Sequence, residues 1–230
     1  HEDEKPKNAP KKDFGFITIA AGEGLAEIFK GLGVDEVIQG GQTMNPSTED
    51  ILNAADKINA DTIFVLPNNS NIILASNQAA SIIEDKKLIV IPTKTIPQGI
   101  TAMINFELTR SADENEKAML ESLSTVKSGQ LTYAVRDTSI DGKEIKKDNY
   151  LGLGDNGLAS VGTDMDDTLI DMLSEFVDDE SELISVYYGE DIDENKAEEL
   201  VYKIEEKFDG VDVELQYGGQ PVYYYIVSVE

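Results

Sequence analysis

The chain has 230 residues, enough for one large domain or two lobes with separate cores, and an ordinary apolar fraction of 40%. It has no cysteine, which excludes disulfides, thiolate metal sites and a cysteine nucleophile; its single histidine is His1, which removes histidine-based triads and metal sites. The net charge is −26, and from Asp164 onward 21 acidic residues face 3 lysines. Acidity on this scale argues against nucleic acid, whose phosphates repel it, and against anionic membrane surfaces. It favours steering toward a basic partner, although a solvated acidic face with no specific partner fits the same charge. No apolar run is long enough to span a bilayer and no signal peptide is visible, so a cytoplasmic protein without membrane insertion is expected.

Residues 1–12 lack apolar periodicity and read as a linker or a non-native remnant, as expected of a piece cut from a longer chain. Residues 16–21 form a short apolar run predicted as a buried strand. Residues 25–30 are apolar at helical spacing, with Gly31 and Gly33 as the stop. A second strand over 34–39 enters the stretch Gly40–Ile51, a turn with a helix start built into it. Gly40 and Gly41 allow a tight turn, and Asn45, pushed out of the helical region by Pro46, is a candidate N-cap. Ser47 or Thr48 are the alternative caps, and Glu49 and Asp50 place negative charge where the helix dipole favours it. A helix over 50–59, a strand over 62–66, a loop over 67–71 and a helix over 72–84 follow. A fourth strand over 88–91 leads into a loop over 92–99 and a helix over about 100–106. Strands that are continuous apolar runs, alternating with helices, predict a Rossmann-like parallel-sheet lobe over residues 13–110.

A connecting helix is expected within 111–129. The remainder, 130–230, reads as a smaller, acidic α+β lobe of mixed strand direction. Its expected elements are a strand over 131–135, a hairpin turn at Asp141-Gly142, and a glycine-rich strand interrupted by a turn over 150–161. Thr163 with Asp166 resembles a capping box opening a helix through Phe176. A strand over 183–188, an amphipathic helix over 193–208, an alternating strand over 211–217 and a last strand over 218–229 complete the lobe.

In a parallel sheet the loops after the strands emerge at one edge, the usual place for ligands. The loops over 21–24, 40–47, 67–71 and 92–99 therefore converge, and Gly40, Gln42, Thr43, Asn45, Ser47, Asn68, Asn69, Thr93, Lys94 and Gln98 are the candidate binding residues. Lys94, the only lysine among them, is placed either to meet a carboxylate or phosphate or to pair with Glu23. Gly22-Glu23-Gly24 lacks the third glycine of a dinucleotide fingerprint and carries a repelling carboxylate, so a plain strand-to-helix turn is the better reading. Asp167 and Asp171 lie one helical turn apart and could share Mg²⁺ or Ca²⁺. Acidic residues at a helix start are more often dipole partners, so no metal site is expected. Tyr187, Tyr188 and Tyr223–Tyr225 suggest either a base-stacking platform or ordinary cross-strand packing, and the acidic lobe favours packing. No catalytic residue is expected.

Five segments in order are similar to one family: Ala20-Ala-Gly-Glu-Gly-Leu25, Gly40-Gly-Gln-Thr-Met-Asn-Pro-Ser-Thr48, Leu66-Pro-Asn-Asn69, Pro92-Thr-Lys-Thr-Ile-Pro-Gln-Gly99 and Tyr217-Gly-Gly-Gln-Pro-Val-Tyr-Tyr-Tyr225. From Phe14 to the last residue the chain resembles the C-terminal region of the kinase subunit of bacterial fatty acid kinase, a Dak phosphatase or dihydroxyacetone-kinase-like family. The resemblance implies an ATP- and Mg²⁺-binding N-terminal domain that this chain lacks, and so no cofactor and no kinase activity here. It implies a separate fatty-acid-binding partner, with which the whole kinase makes acyl-phosphate for phospholipid synthesis. The C-terminal region would dock that partner's basic surface, and Asp164, Asp166, Asp167, Asp171, Glu190 and Asp191 are the acidic candidates. Gln42–Asp50 also resembles the carboxylate-binding loop of DegV-type fatty-acid-binding proteins, in which two lobes enclose an acyl chain. Thr43 and Ser47 are in place, but the histidine of that pattern is absent. A DegV-like fold overall is therefore expected, one that no longer holds a fatty acid; the alternative is a DegV-like fatty acid or lipid-binding protein in its own right.

Overall fold

A computed structural model describes residues 10–41 and 44–230, and the chain divides into two compact units. Among the described residues the first runs from 10 to 21 and from 25 to 124; the second comprises 22–24 and 125–230. Gln42 and Thr43 lie outside the described residues.

In the first unit, β1 (Lys12–Ala20), β2 (Glu36–Gln39), β3 (Ala60–Leu66) and β4 (Lys87–Val90) form a parallel sheet of order β2-β1-β3-β4. Its strands are apolar on both faces because both faces are covered. On one face Ile17, Ile63, Val65 and Leu88 pack with Ile51, Ala54, Ala55, Ile58 and Ala79 from α2 (Thr48–Asp56), α3 (Ser70–Ile82) and the adjoining loop. On the other, Phe14, Phe16 and Phe64 gather around Phe106; the Phe16 and Phe64 rings stack at 5.7 Å and Phe106 meets Phe16 edge-on at 4.7 Å. The strand period of two separates the aliphatic and aromatic sets. α1 (Glu23–Gly31), α4 (Ile96–Ile104) and α5 (Ala112–Ser122) complete the unit. β1 begins at Lys12, inside the stretch expected as a linker; the Lys12 amine pairs with Asp35, which also accepts from the Phe16 amide. α4 begins at Ile96 rather than near 100, since Thr95 caps it and Pro97 occupies its first turn.

The second unit carries a six-stranded sheet of order β11-β10-β12-β5-β8-β9. Its strands are β5 (Lys127–Tyr133), β8 (Tyr150–Gly154), β9 (Gly157–Gly162), β10 (Leu183–Tyr188), β11 (Asp212–Tyr217) and β12 (Tyr225–Val229). Only β10 and β11 pair in parallel, joined through α7 (Glu194–Lys207); every other neighbour is antiparallel. A small hairpin, β6 (Thr138–Ile140) with β7 (Lys143–Ile145), turns at Asp141 and Gly142, whose positive φ values of 51° and 77° suit a tight hairpin. Lys127 therefore starts a strand instead of ending the preceding helix.

α6 (Met165–Phe176) covers the sheet at a stripe without side chains. Gly129 of β5 faces Gly154 of β8 in register, and a Cβ at either would press on Met172 or Phe176. Gly152 lies beneath Met172, where a Cβ would overlap Ser160 Oγ, which donates to the Thr168 carbonyl at 2.7 Å. The glycine-rich stretch is thus the bed of a helix. The cap of α6 is Asp164, not Thr163: its Oδ1 accepts from the Asp167 amide at 2.9 Å. We expect Gly152→Ala to lower stability by about 1–3 kcal/mol, the usual cost of overpacking, measured by urea unfolding against wild type.

Candidate functional site

The parallel sheet brings the carboxyl ends of β1, β3 and β4 to one edge, with the reversal of strand order falling between β1 and β3. Asn68 fills that point. It is buried and holds φ at 59°, a left-handed value that asparagine tolerates better than most residues. Its side-chain amide donates to Thr18 Oγ1 at 2.8 Å and to the Ile19 carbonyl at 2.9 Å. Thr93 Oγ1 accepts from the Asn68 amide and donates to Asn68 Oδ1, both at 2.9 Å. Thr18 Oγ1 passes its own proton to the Leu66 carbonyl. Gly99 lies so close that a Cβ there would overlap Asn68 Oδ1. At this point of the sheet edge the side chains of Thr18, Asn68 and Thr93 bond one another and the adjoining backbone.

Several of the other predicted loop residues are engaged locally as well. Ser47 caps α2 in a capping box: its Oγ accepts from the Asp50 amide at 3.1 Å while Asp50 Oδ2 accepts from the Ser47 amide at 2.8 Å. Of the three alternative caps it is Ser47, not Asn45 or Thr48, that serves. Asn69 caps α3. Gln98 Oε1 accepts from the Lys94 amide at 2.7 Å. Gly40 is buried against Pro46, and Gly41 and Met44 exchange backbone hydrogen bonds. Asn45 and Lys94 are exposed. Gly22–Gly24 belongs with the second unit, where its backbone lies against Tyr217–Gln220 too closely for any side chain at Gly24. That contact accounts for the glycines at 22 and 24.

The acidic candidates separate by environment. Asp166 is buried, and its Oδ2 pairs with Lys203 Nζ of α7 at 2.8 Å, which raises the lysine pKa. Asp164 is spent on its cap, whereas Asp167 and Asp171 are exposed on α6. Glu190 and Asp191 are exposed just after β10. Among the described residues no group of three or more His, Cys, Asp or Glu is arranged to hold a metal ion.

One end of the second sheet is rich in tyrosine. Tyr217, Tyr188 and Tyr225 are register partners across β11, β10 and β12, and Tyr133 faces Tyr150 across β5 and β8. The expected strand over 218–229 starts only at Tyr225, and residues 218–224 form a loop along this edge. Tyr224 stands 6.0 Å from both Tyr133 and Tyr150, ring centre to ring centre. Burial raises its hydroxyl pKa first, and then the neighbouring Tyr150, Tyr133, Asp191 and Asp148. Beside it the Tyr223 amide donates to the Pro221 carbonyl at 2.7 Å across Val222, whose φ is 69°. This is a γ-turn of the positive-φ kind, and for a β-branched residue it costs about 1–3 kcal/mol. Thr132 Oγ1 and the Tyr224 amide tie the turn to β5, through the Val222 and Leu131 carbonyls. Tyr133 and Tyr150 are absent from the candidate site residues of the sequence, and Val222 enters there only within the Tyr217–Tyr225 segment; Gly218, Gly219 and Pro221 ahead of the tyrosine run are the local signs of the turn.

A four-stranded parallel unit with a mixed six-stranded one is the DegV class of fold. A DegV lipid-binding protein from Thermotoga maritima is similar with a TM-score of 0.68 at 12% identity, covering 95% of this chain and 98% of that one. The fatty acid kinase B3 protein of Streptococcus pneumoniae, solved loaded with linoleic acid, is similar at 0.60 and 12%, over 95% and 99%. The chain belongs to the FakA-like family of fatty acid kinase A-subunit-like C-terminal regions, whose model matches residues 15–230. Protein YloV of Bacillus subtilis is 47% identical over 220 residues, which are 96% of this chain and 40% of YloV. The chain thus spans about two-fifths of that relative's length.

Asn68→Ala removes the side-chain donor to the Ile19 carbonyl and the acceptor of the Thr93 hydroxyl, and places alanine at a left-handed position. A loss of about 2–4 kcal/mol in denaturant unfolding is the expected outcome. At the tyrosine end, burial raises the Tyr187 hydroxyl pKa from 10.0 to about 12. The neutral phenol is therefore favoured in the folded state, and its contribution is complete below pH 10 and disappears as the pH climbs through about 12. Stability should fall over that interval, and Tyr187→Phe should remove roughly 2–3 kcal/mol of the fall.

Proposed function

We propose that the chain is a non-catalytic docking domain of a fatty acid kinase. It would bind a separate fatty-acid-binding protein so that the bound acid is converted to acyl-phosphate by an ATP- and Mg²⁺-dependent domain elsewhere in the whole kinase chain. Family membership supplies the system. The observation that favours docking over lipid carriage is the closed polar set of the first unit. Asn68 and Thr93, two of the candidate binding residues, already spend their side-chain donors on Thr18, the Ile19 carbonyl and each other. A carboxylate arriving there would have to break bonds rather than complete them. The acidic excess beyond Asp164 supports a basic partner surface.

The second reading, a fatty acid or lipid carrier in its own right, draws on the likeness to the DegV lipid-binding protein and the linoleic-acid-loaded kinase B3 protein. Native mass spectrometry separates the two readings. The docking domain should give the bare chain mass, and a copurified acyl ligand would sink it.

Titration calorimetry against a fatty-acid-binding protein of the DegV type should show binding that weakens as salt rises. ATP turnover by this chain alone should be absent. No heat at low salt, or turnover above a buffer blank, would overturn the assignment.

A further inference from the structure

We propose that the tyrosine-rich end of the second unit's sheet, centred on Tyr224 and Val222, is the docking surface. Its occupant is a face of the fatty-acid-binding partner that presents arginine. The inference rests on the docking function proposed above and names the side chains that carry it. Tyr133 and Val222 are each 42% exposed and Val135 is 70% exposed, so an apolar and aromatic surface continues from the strand ends into solvent. Tyrosine supplies large, stiff contact area with a polar tip, the chemistry over-represented where partners bind. Two non-glycine residues with positive φ edge the patch, Val222 at 69° and Asp148 at 70°. The Asp148 amide donates to the Ala134 carbonyl, which places this turn beside Tyr133 and Val135. Aspartate tolerates such a value, whereas the strain kept at the β-branched Val222 is what a surface held in shape for a contact requires.

Charge decides the occupant. The Gly189 amide donates to the Tyr224 carbonyl and the Glu190 amide to the Gln220 carbonyl, so the exposed Glu190–Asp191 turn runs along the patch. The opposite flank, with Arg136, Asp137, Lys147 and Asp148, is mixed in sign and sets no preference. A guanidinium can stack on Tyr133 or Tyr224 while its edge meets Asp191 or Asp148, a combination that lysine cannot reproduce and an acidic or purely apolar face cannot use.

The test uses the whole 230-residue chain and a fatty-acid-binding protein of the DegV type from the same organism, by titration calorimetry and stopped-flow association. Tyr224→Ala should weaken binding by about thirtyfold or more, the loss expected of a hot-spot side chain. Val222→Gly relieves the turn, so thermal stability is kept or rises while affinity falls by about tenfold. Glu190→Lys with Asp191→Lys should slow association and flatten its salt dependence. Asp167→Lys with Asp171→Lys on α6 should bind nearly as wild type does. Hydrogen exchange should show protection on complex formation over residues 131–135 and 220–224, independent of any variant. If wild type binds but the edge variants bind equally, or protection falls on α6 instead, the docking surface is wrong and the docking function stands. If wild type does not bind, the function itself falls and the surface with it.

Discussion

The second unit depends on where its last strand goes. β12 inserts between β10 and β5 and bonds both antiparallel, with all five of its residues buried. Without it the sheet would be a parallel pair, β11 with β10, and a separate meander of β5, β8 and β9. Joining them aligns the ends of β5, β10 and β11 with the starts of β8 and β12. Tyrosines scattered from 133 to 225 become neighbours. The central strand is thus both the hub of the core, through Tyr225, Val227 and Val229, and the element that assembles the exposed aromatic edge.

That insertion has a cost at its approach. The chain leaves β11, passes the end of β10 and enters the sheet one position further on, within residues 218–224. Adjacent strands lie about 4.8 Å apart, so the connection crosses roughly 10 Å while reversing direction. Gly218-Gly219 and the γ-turn at Val222 supply the sharp bends, and Gln220 Nε2 fixes the middle by donating to the Tyr187 carbonyl at 3.0 Å. A glycine at 222 would make the same turn without strain. The valine keeps an apolar side chain at the surface instead, which is why the strain points to use rather than to topology alone.

Much of the fold is legible in the sequence because burial on two faces leaves an unambiguous signature. The runs containing Ile17, Phe64 and Ile89 are β1, β3 and β4, and the Asp141-Gly142 turn is where the hairpin pattern puts it. The misread boundaries share a cause, local signals overruled by packing. The connecting helix expected within 111–129 gives way to β5 at Lys127, whose Gly129 leaves the space α6 needs, and Thr163 loses the cap to Asp164 by one residue. The site is less legible. Asn68 and Asn69 are the same residue type side by side, yet one turns inward to close the sheet edge while the other caps a helix. Nothing short of the register of β1 against β3 distinguishes them.

Net charge is equally silent about which carboxylates matter. Asp166 and Asp191 add the same unit to the total, but the first is buried and pairs through Oδ2 with Lys203. Reversing it would damage the fold before it reported on any partner. Asp191 stays in water, where its field reaches an approaching surface over about a Debye length. Only carboxylates of that kind can steer association, and those beside Tyr224 also border apolar area that a partner can cover. Exposed acid on α6 steers without such a border. In the docking proposed above, charge would draw a basic partner to this unit generally, and the aromatic edge would hold it in one orientation.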